Sequence, residues 1–169
     1  GRRDGGSRDE KWLQELMYNE PRLLPVDEIE SEFLDLYPVC RELPITKTGF
    51  LDILFVNKSG LLTLVECKLW KNPEARREVV GQILDYAQEL SRWDFEDLDK
   101  AVRKCEGNEF GLIEKVKRSC GEEEWDEVSF IDSVTQNLRR GRFLLLIIGD
   151  GIKEGVESIS NFLQNYAAL

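Results

Sequence analysis

Asp52, Glu66 and Lys68 are the residues in this chain best placed by type and spacing to do chemistry. They interrupt two apolar, β-rich runs that flank Asn57-Lys58-Ser59-Gly60, a β-hairpin signature with glycine in the turn. A charge on such a strand needs a partner or a metal to offset its desolvation. Side chains alternate along a strand, so Glu66 and Lys68 share a face and Cys67 points to the other. A three-residue loop, Lys58-Ser59-Gly60, would pair Asn57 with Leu61 and set Asp52 opposite Glu66. A two- or four-residue loop would offer Asp52 to Val65 instead and separate the carboxylates. In the three-residue register, two carboxylates and an ammonium converge: a divalent-cation site with a lysine beside it. Without a cation, the same residues would form a buried ion triad or a set of half-exposed strand charges.

The rest of the composition narrows the chemistry. The 169 residues contain no histidine, which removes Ser-His and Cys-His dyads, histidine bases and most catalytic zinc sites. Reaction must rest on carboxylates, amines, amides, hydroxyls or thiols. The four cysteines, Cys40, Cys67, Cys105 and Cys120, show no Cys-x-x-Cys spacing. They read as reduced thiols of a cytoplasmic protein. A net charge of −10 argues against a surface that holds nucleic acid all over, while leaving room for a local groove. No apolar run reaches the ~20 residues of a membrane helix.

The elements that must position the charged residues follow from periodicity. Residues 1–7 read as a disordered tail, and 8–169 as one domain. Arg8 to Asn19 is an amphipathic helix, with Trp12, Leu13, Leu16 and Met17 at helical spacing before Pro21. Asp27 to Leu34 suggests a short turn or helix. Tyr37 to Ile45 is a strand that its two prolines restrict to an edge or a short length. After the hairpin, Asn72 and Pro73 open a helix to about Trp93. Its Gln82 and Tyr86, four apart, share a face. Asp94–Cys105, Asn108–Cys120 and Asp126–Arg140 are three helices with no strand between them, so residues 93–141 read as a helical insertion. Arg142 to Asp150 is a buried strand, and Gly151 to Ala167 a last helix. The apolar ending at Leu169 suggests that the parent protein continues. The expected class is α/β, a mixed sheet with helices on both sides.

Asp52, then Glu66-Cys67-Lys68 on the next strand, then a helix, resembles the PD-(D/E)XK nuclease superfamily. Gln82 to Tyr86 looks like the QxxxY motif of its RecB-like and NucS-like endonucleases. The resemblance covers residues 8–92 by motif and 142–167 by topology, and Leu51 stands where the superfamily's name has proline. It implies a restriction-endonuclease-like αβββαβ core and a metal-dependent nuclease hydrolysing DNA, of repair, restriction or defence type. Asp52 and Glu66 would bind Mg²⁺ or Mn²⁺, with the Cys67 carbonyl as a further ligand. Lys68 would position or activate the attacking water, or stabilise charge on the phosphate. Gln82 and Tyr86 would hydrogen-bond the metal site, Lys68 or a phosphate. Relatives often add an acid from the first helix; Glu10 fits best, ahead of Glu15 and Glu20. Arg76 and Arg77 are the candidates for phosphate binding, ahead of Arg139, Arg140 and Arg142. Trp70 either stacks on a base or packs. A homodimer would suit double-strand cutting. The competing account is a catalytically inactive module of the same fold, binding nucleic acid or a protein partner.

Overall fold

In the computed structural model, the backbone is described for residues 2–47, 49–69, 73–105, 110–149 and 156–158, with the side chains of 2–8 and 156–158 excepted. The chain runs α1 (Arg2–Asn19), a 3-10 turn (Pro21–Leu23), α2 (Val26–Ile29), a second 3-10 turn (Ser31–Phe33), then β1 (Tyr37–Pro44), β2 (Phe50–Val56) and β3 (Leu62–Cys67). There follow α3 (Pro73–Leu90), α4 (Phe95–Lys104), α5 (Leu112–Cys120), α6 (Glu127–Arg140), β4 (Phe143–Ile148) and β5 (Val156–Ser158). The sheet order is β1-β2-β3-β4-β5, with β3 and β4 parallel and every other pair antiparallel. This is the expected α/β class with a mixed sheet.

Alternation along the strands builds two apolar layers. Leu62 and Leu64 of β3, with Phe143, Leu145 and Ile147 of β4, pack with buried residues of α3 to α6. Val65, Cys67, Leu144, Leu146 and Ile148 pack on the other side with Leu13 and Met17 of α1 and with Val26 and Phe33. β3 and β4 are buried along their whole length, which explains why β4 reads as an unbroken apolar run and why Thr63 and Glu66 of β3 are buried among apolar neighbours. The insertion helices thus thicken one layer rather than forming a unit of their own. Their boundaries are set by caps: Asp94 accepts from the Asp97 N–H at the start of α4, and Gly141 closes α6 with φ +63°.

β1 is the edge strand its prolines demand, and a bulge between Pro38 and Cys40 shifts its register against β2. Several boundaries differ from expectation. α1 extends back to Arg2, across most of the segment expected as a tail. α3 ends at Leu90, and Ser91 to Trp93 form a turn. The last helix expected from Gly151 to Ala167 is corrected at Val156–Ser158, which is a strand antiparallel to β4. Its remaining residues, Asn72 as a helix cap and Trp70 lie outside the described residues. Among the described residues, no helix is long and apolar enough to cross a membrane.

Candidate functional site

The hairpin turn decides the site. The Asn57 N–H donates to the Leu61 carbonyl (3.1 Å), Gly60 takes φ +77°, and Val56 to Ile53 pair with Leu62 to Val65. That is the three-residue register, and its next step sets Asp52 opposite Glu66. Gly60 also lies against α6: an added Cβ would stand 3.0 Å from the Val134 nitrogen. The turn is therefore fixed both by its own conformation and by the helix above it.

At the far end of the hairpin the two acids interlock with each other's strands. Asp52 Oδ2 accepts from the Cys67 N–H at 2.7 Å, and Glu66 Oε1 accepts from the Asp52 N–H at 3.2 Å. Glu66 is only 5% exposed. Burial pushes the carboxyl of Asp52 up to about 6, opposed by the Cys67 N–H and by the Glu66 carboxyl, and supported by the charges of Glu42 and Glu10. Burial, and then the charge of Asp52, push Glu66 further up. Two acids in these surroundings hold one proton between them near neutrality. The Cys67 thiol, buried beside both carboxylates, is raised too and stays an inert core group.

Lys68 follows Glu66 by two residues, and its N–H bonds the Ile148 carbonyl at 2.8 Å. Its ammonium is part-exposed and lies 3.7 Å from Glu10 Oε1, the same oxygen that accepts from the Leu69 N–H at 3.4 Å. Of Glu10 and Glu15 on α1 and Glu20 just after it, Glu10 is thus the one beside Lys68. Glu15 is exposed, and Glu20 pairs with Arg22. On α3, Gln82 Nε2 donates to the Tyr86 hydroxyl at 2.7 Å. Tyr86 is buried against Gly49, where an added Cβ would stand 2.6 Å from the ring. Burial raises its phenol, and the charges of Glu66 and Asp52 add to that effect. Gln82 itself is exposed. Arg76 and Arg77 sit on the first turns of α3, half-buried and exposed respectively. Arg142 is turned away to Glu32 (2.6 Å).

Two residues that the sequence reading passed over join this cluster. In the β1–β2 register, Arg41 faces Ile53 and Leu43 faces Leu51, so Glu42 falls opposite Asp52. Glu42 has φ +55°, a left-handed conformation unusual for a residue with a Cβ. The Cys105 thiol reaches the carbonyls on either side of that twist, Arg41 O at 2.7 Å and Glu42 O at 3.6 Å. Gln14 of α1 is buried and donates from Nε2 to Glu42 Oε1 (2.9 Å) and Asp52 Oδ1 (3.4 Å). Three neighbouring strands therefore present acids in one row. No sequence signal marks Glu42, because its place depends on the bulge. Gln14 had one available: it is a polar residue one turn after Glu10, on the same helical face.

The oxygen-only donor set of Asp52 and Glu66 suits a hard dication such as Mg²⁺ or Mn²⁺. Among the described residues, however, no group of three or more aspartate, glutamate, cysteine or histidine side chains is arranged to hold a metal ion. Compared with models of protein families, with curated proteins and with solved structures, the chain gives no match.

Proposed function

We propose that this chain is a metal-dependent nuclease that hydrolyses DNA phosphodiester bonds, built on a restriction-endonuclease-like core of the PD-(D/E)XK type. The observation that carries the reading is the meeting of Asp52 and Glu66 across two buried strands, with the Lys68 ammonium on the rim. Burying two facing carboxylates costs stability and contributes nothing to packing, so the pair calls for a positively charged occupant. Mg²⁺ or Mn²⁺ would be held by Asp52, Glu66 and the Cys67 carbonyl. When bound, it supplies Lewis-acid polarisation of the phosphate and eases deprotonation of water.

The chain's own groups then have separable tasks. Lys68 donates to a phosphate oxygen or to the attacking water, and Glu10 keeps its ammonium at the rim. Gln82 orients the Tyr86 hydroxyl, which is buried near both acids. The two β-strands fix the acids through backbone N–H groups and so limit their motion during the reaction. The four cysteines are free thiols, which fits a reducing compartment.

A second reading is favoured by one observation: the described acids do not yet form a three-ligand cage. It makes the chain an inactive module of the same fold that binds nucleic acid or a protein. Cleavage of single- and double-stranded DNA and of RNA, with Mg²⁺, Mn²⁺ or EDTA, separates the two. The nuclease reading expects EDTA-sensitive cleavage lost in Asp52→Ala and Lys68→Ala. Cleavage that persists in both variants removes the reaction from this site. DNA binding without metal uptake in calorimetry selects the inactive module.

A further inference from the structure

We infer that Gln14 is a positioning residue of the candidate metal site, acting through Asp52, with Glu42 fixing the direction of its amide. The inference rests on the metal-site reading and extends it to two residues outside the Asp/Glu/Lys constellation.

The orientation of Gln14 is forced by chemistry. Its partners are two carboxylate oxygens, Glu42 Oε1 and Asp52 Oδ1, and only the NH₂ end of an amide can donate to both. The reversed amide would set a carbonyl against two anions. Gln14 is 6% exposed, so water cannot replace either bond freely. The shorter bond goes to Glu42 (2.9 Å) and the longer to Asp52 (3.4 Å). Glu42 is therefore the anchor, and Asp52 receives the second hydrogen. Cys67 N–H lies on Oδ2 and Gln14 on Oδ1, so both oxygens of Asp52 are oriented by the protein, with the Glu66 carboxyl beside them, and a carboxylate's remaining lone pairs can serve a cation.

The backbone at Glu42 points the same way. A left-handed glutamate in a strand is maintained only where its surroundings over-determine it. Cys105 holds the adjacent carbonyls, and the carboxylate meets Gln14. Groups of this kind, bonded to a ligand rather than to the metal, commonly change metal affinity 10–100-fold when removed.

The test is Mn²⁺ binding to the full chain, followed by electron paramagnetic resonance, with circular dichroism and the metal-free Tm recorded for each variant. Gln14→Met keeps the length of the side chain and removes both donors. It is expected to weaken Mn²⁺ about tenfold or more and to alter the spectrum of the bound ion, while the metal-free Tm moves by only a few degrees. A dissociation constant within twofold of wild type in folded Gln14→Met overturns the inference. Should Gln14→Met not fold, Gln14→Glu, which keeps the length and loses the donors, is judged by the same criterion. Wild type that binds no Mn²⁺ overturns the metal-site reading and this inference together. Wild type that loses Mn²⁺ on Asp52→Asn but not on Gln14→Met overturns this inference alone.

Discussion

The two ends of the β2–β3 hairpin both contain buried polar side chains, and they solve the problem differently. At the turn end, Asn57 is 2% exposed and all its hydrogen-bonding capacity is used. Nδ2 donates to the carbonyls of Glu32 (2.8 Å) and Leu34 (3.1 Å), and Oδ1 accepts from the N–H groups of Ser59 (3.0 Å) and Leu61 (2.9 Å). The group is neutral, and every partner is backbone. At the other end, Asp52 and Glu66 are also bonded to backbone, but the two carboxyl groups face each other with one proton between them near neutrality, and Glu42 adds a further acid beside them. One end is closed by the fold itself, and the other is left in electrostatic conflict. A buried polar group of the first kind stabilises; a group of the second kind costs stability unless a proton or a cation relieves it.

That contrast breaks most sharply under substitution. Asp52→Ala is expected to lower Mn²⁺-dependent cleavage by at least two to three orders of magnitude, measured as single-turnover rates on labelled DNA. Asn57→Ala should leave metal affinity unchanged and destabilise the fold by roughly 2–4 kcal/mol in urea titrations, because buried carbonyl and N–H partners lose their bonds. A variant of Asn57 that loses Mn²⁺ without losing stability would erase the distinction between the two ends.

Protons test the same contrast more gently. Folding raises the carboxyls of Asp52 and Glu66 above their ordinary values of 3.8 and 4.5. The folded state therefore binds these protons more tightly than the unfolded one. The pair's contribution to stability is complete below about pH 4 and declines as pH rises through about 6, where Asp52 ionises in the fold, and onward toward Glu66. Metal-free Tm should fall across that window, and saturating Mn²⁺ should flatten the fall. Uptake of Mn²⁺ near neutral pH should release about one proton, read from the dependence of calorimetric enthalpy on buffer. Glu66→Gln should stabilise the metal-free protein by roughly 1–3 kcal/mol at pH 8 and remove the proton release on Mn²⁺ uptake, while the fall in Tm through about pH 6, which the burial of Asp52 causes, persists.

How much of this was visible beforehand differs between the two ends and between the layers. The turn Asn57-Lys58-Ser59-Gly60 and the alternation around it narrow the register to two, and the structure adopts the three-residue loop that places Asp52 opposite Glu66. The edge position of β1 followed from Pro38 and Pro44. Glu42 did not, because its alignment depends on a bulge between Pro38 and Cys40 that no residue type announces. Gln14 reaches Asp52 only after α1 docks on the sheet, which is a tertiary event. Val156–Ser158 was misread for a related reason. Its apolar spacing suits a helix, but β4 offers an unpaired edge whose N–H and C=O groups need partners. The demand of the sheet overrides the local pattern.

Tyr86 is where the contrast between the two ends can be sharpened last, since it is buried like Asn57 and close to the acids like Gln14. Gly49 admits it: an added methyl would stand 2.5 Å from Thr46 Oγ1 and 2.6 Å from the tyrosine ring. Both neighbours must give way in Gly49→Ala, at a cost of about 1–3 kcal/mol. The Gln82–Tyr86 bond lies within α3 and can move with the ring, so the displacement acts mainly on the distance between Tyr86 and the strand that carries Asp52. If Tyr86 belongs to the site, cleavage should fall several-fold more than in Tyr86→Phe, which keeps the ring in place and removes only the hydroxyl. Equal rates in wild type and in both variants, alongside the loss of stability in Gly49→Ala, would place Tyr86 with Asn57, as a group whose work is finished once the chain has folded.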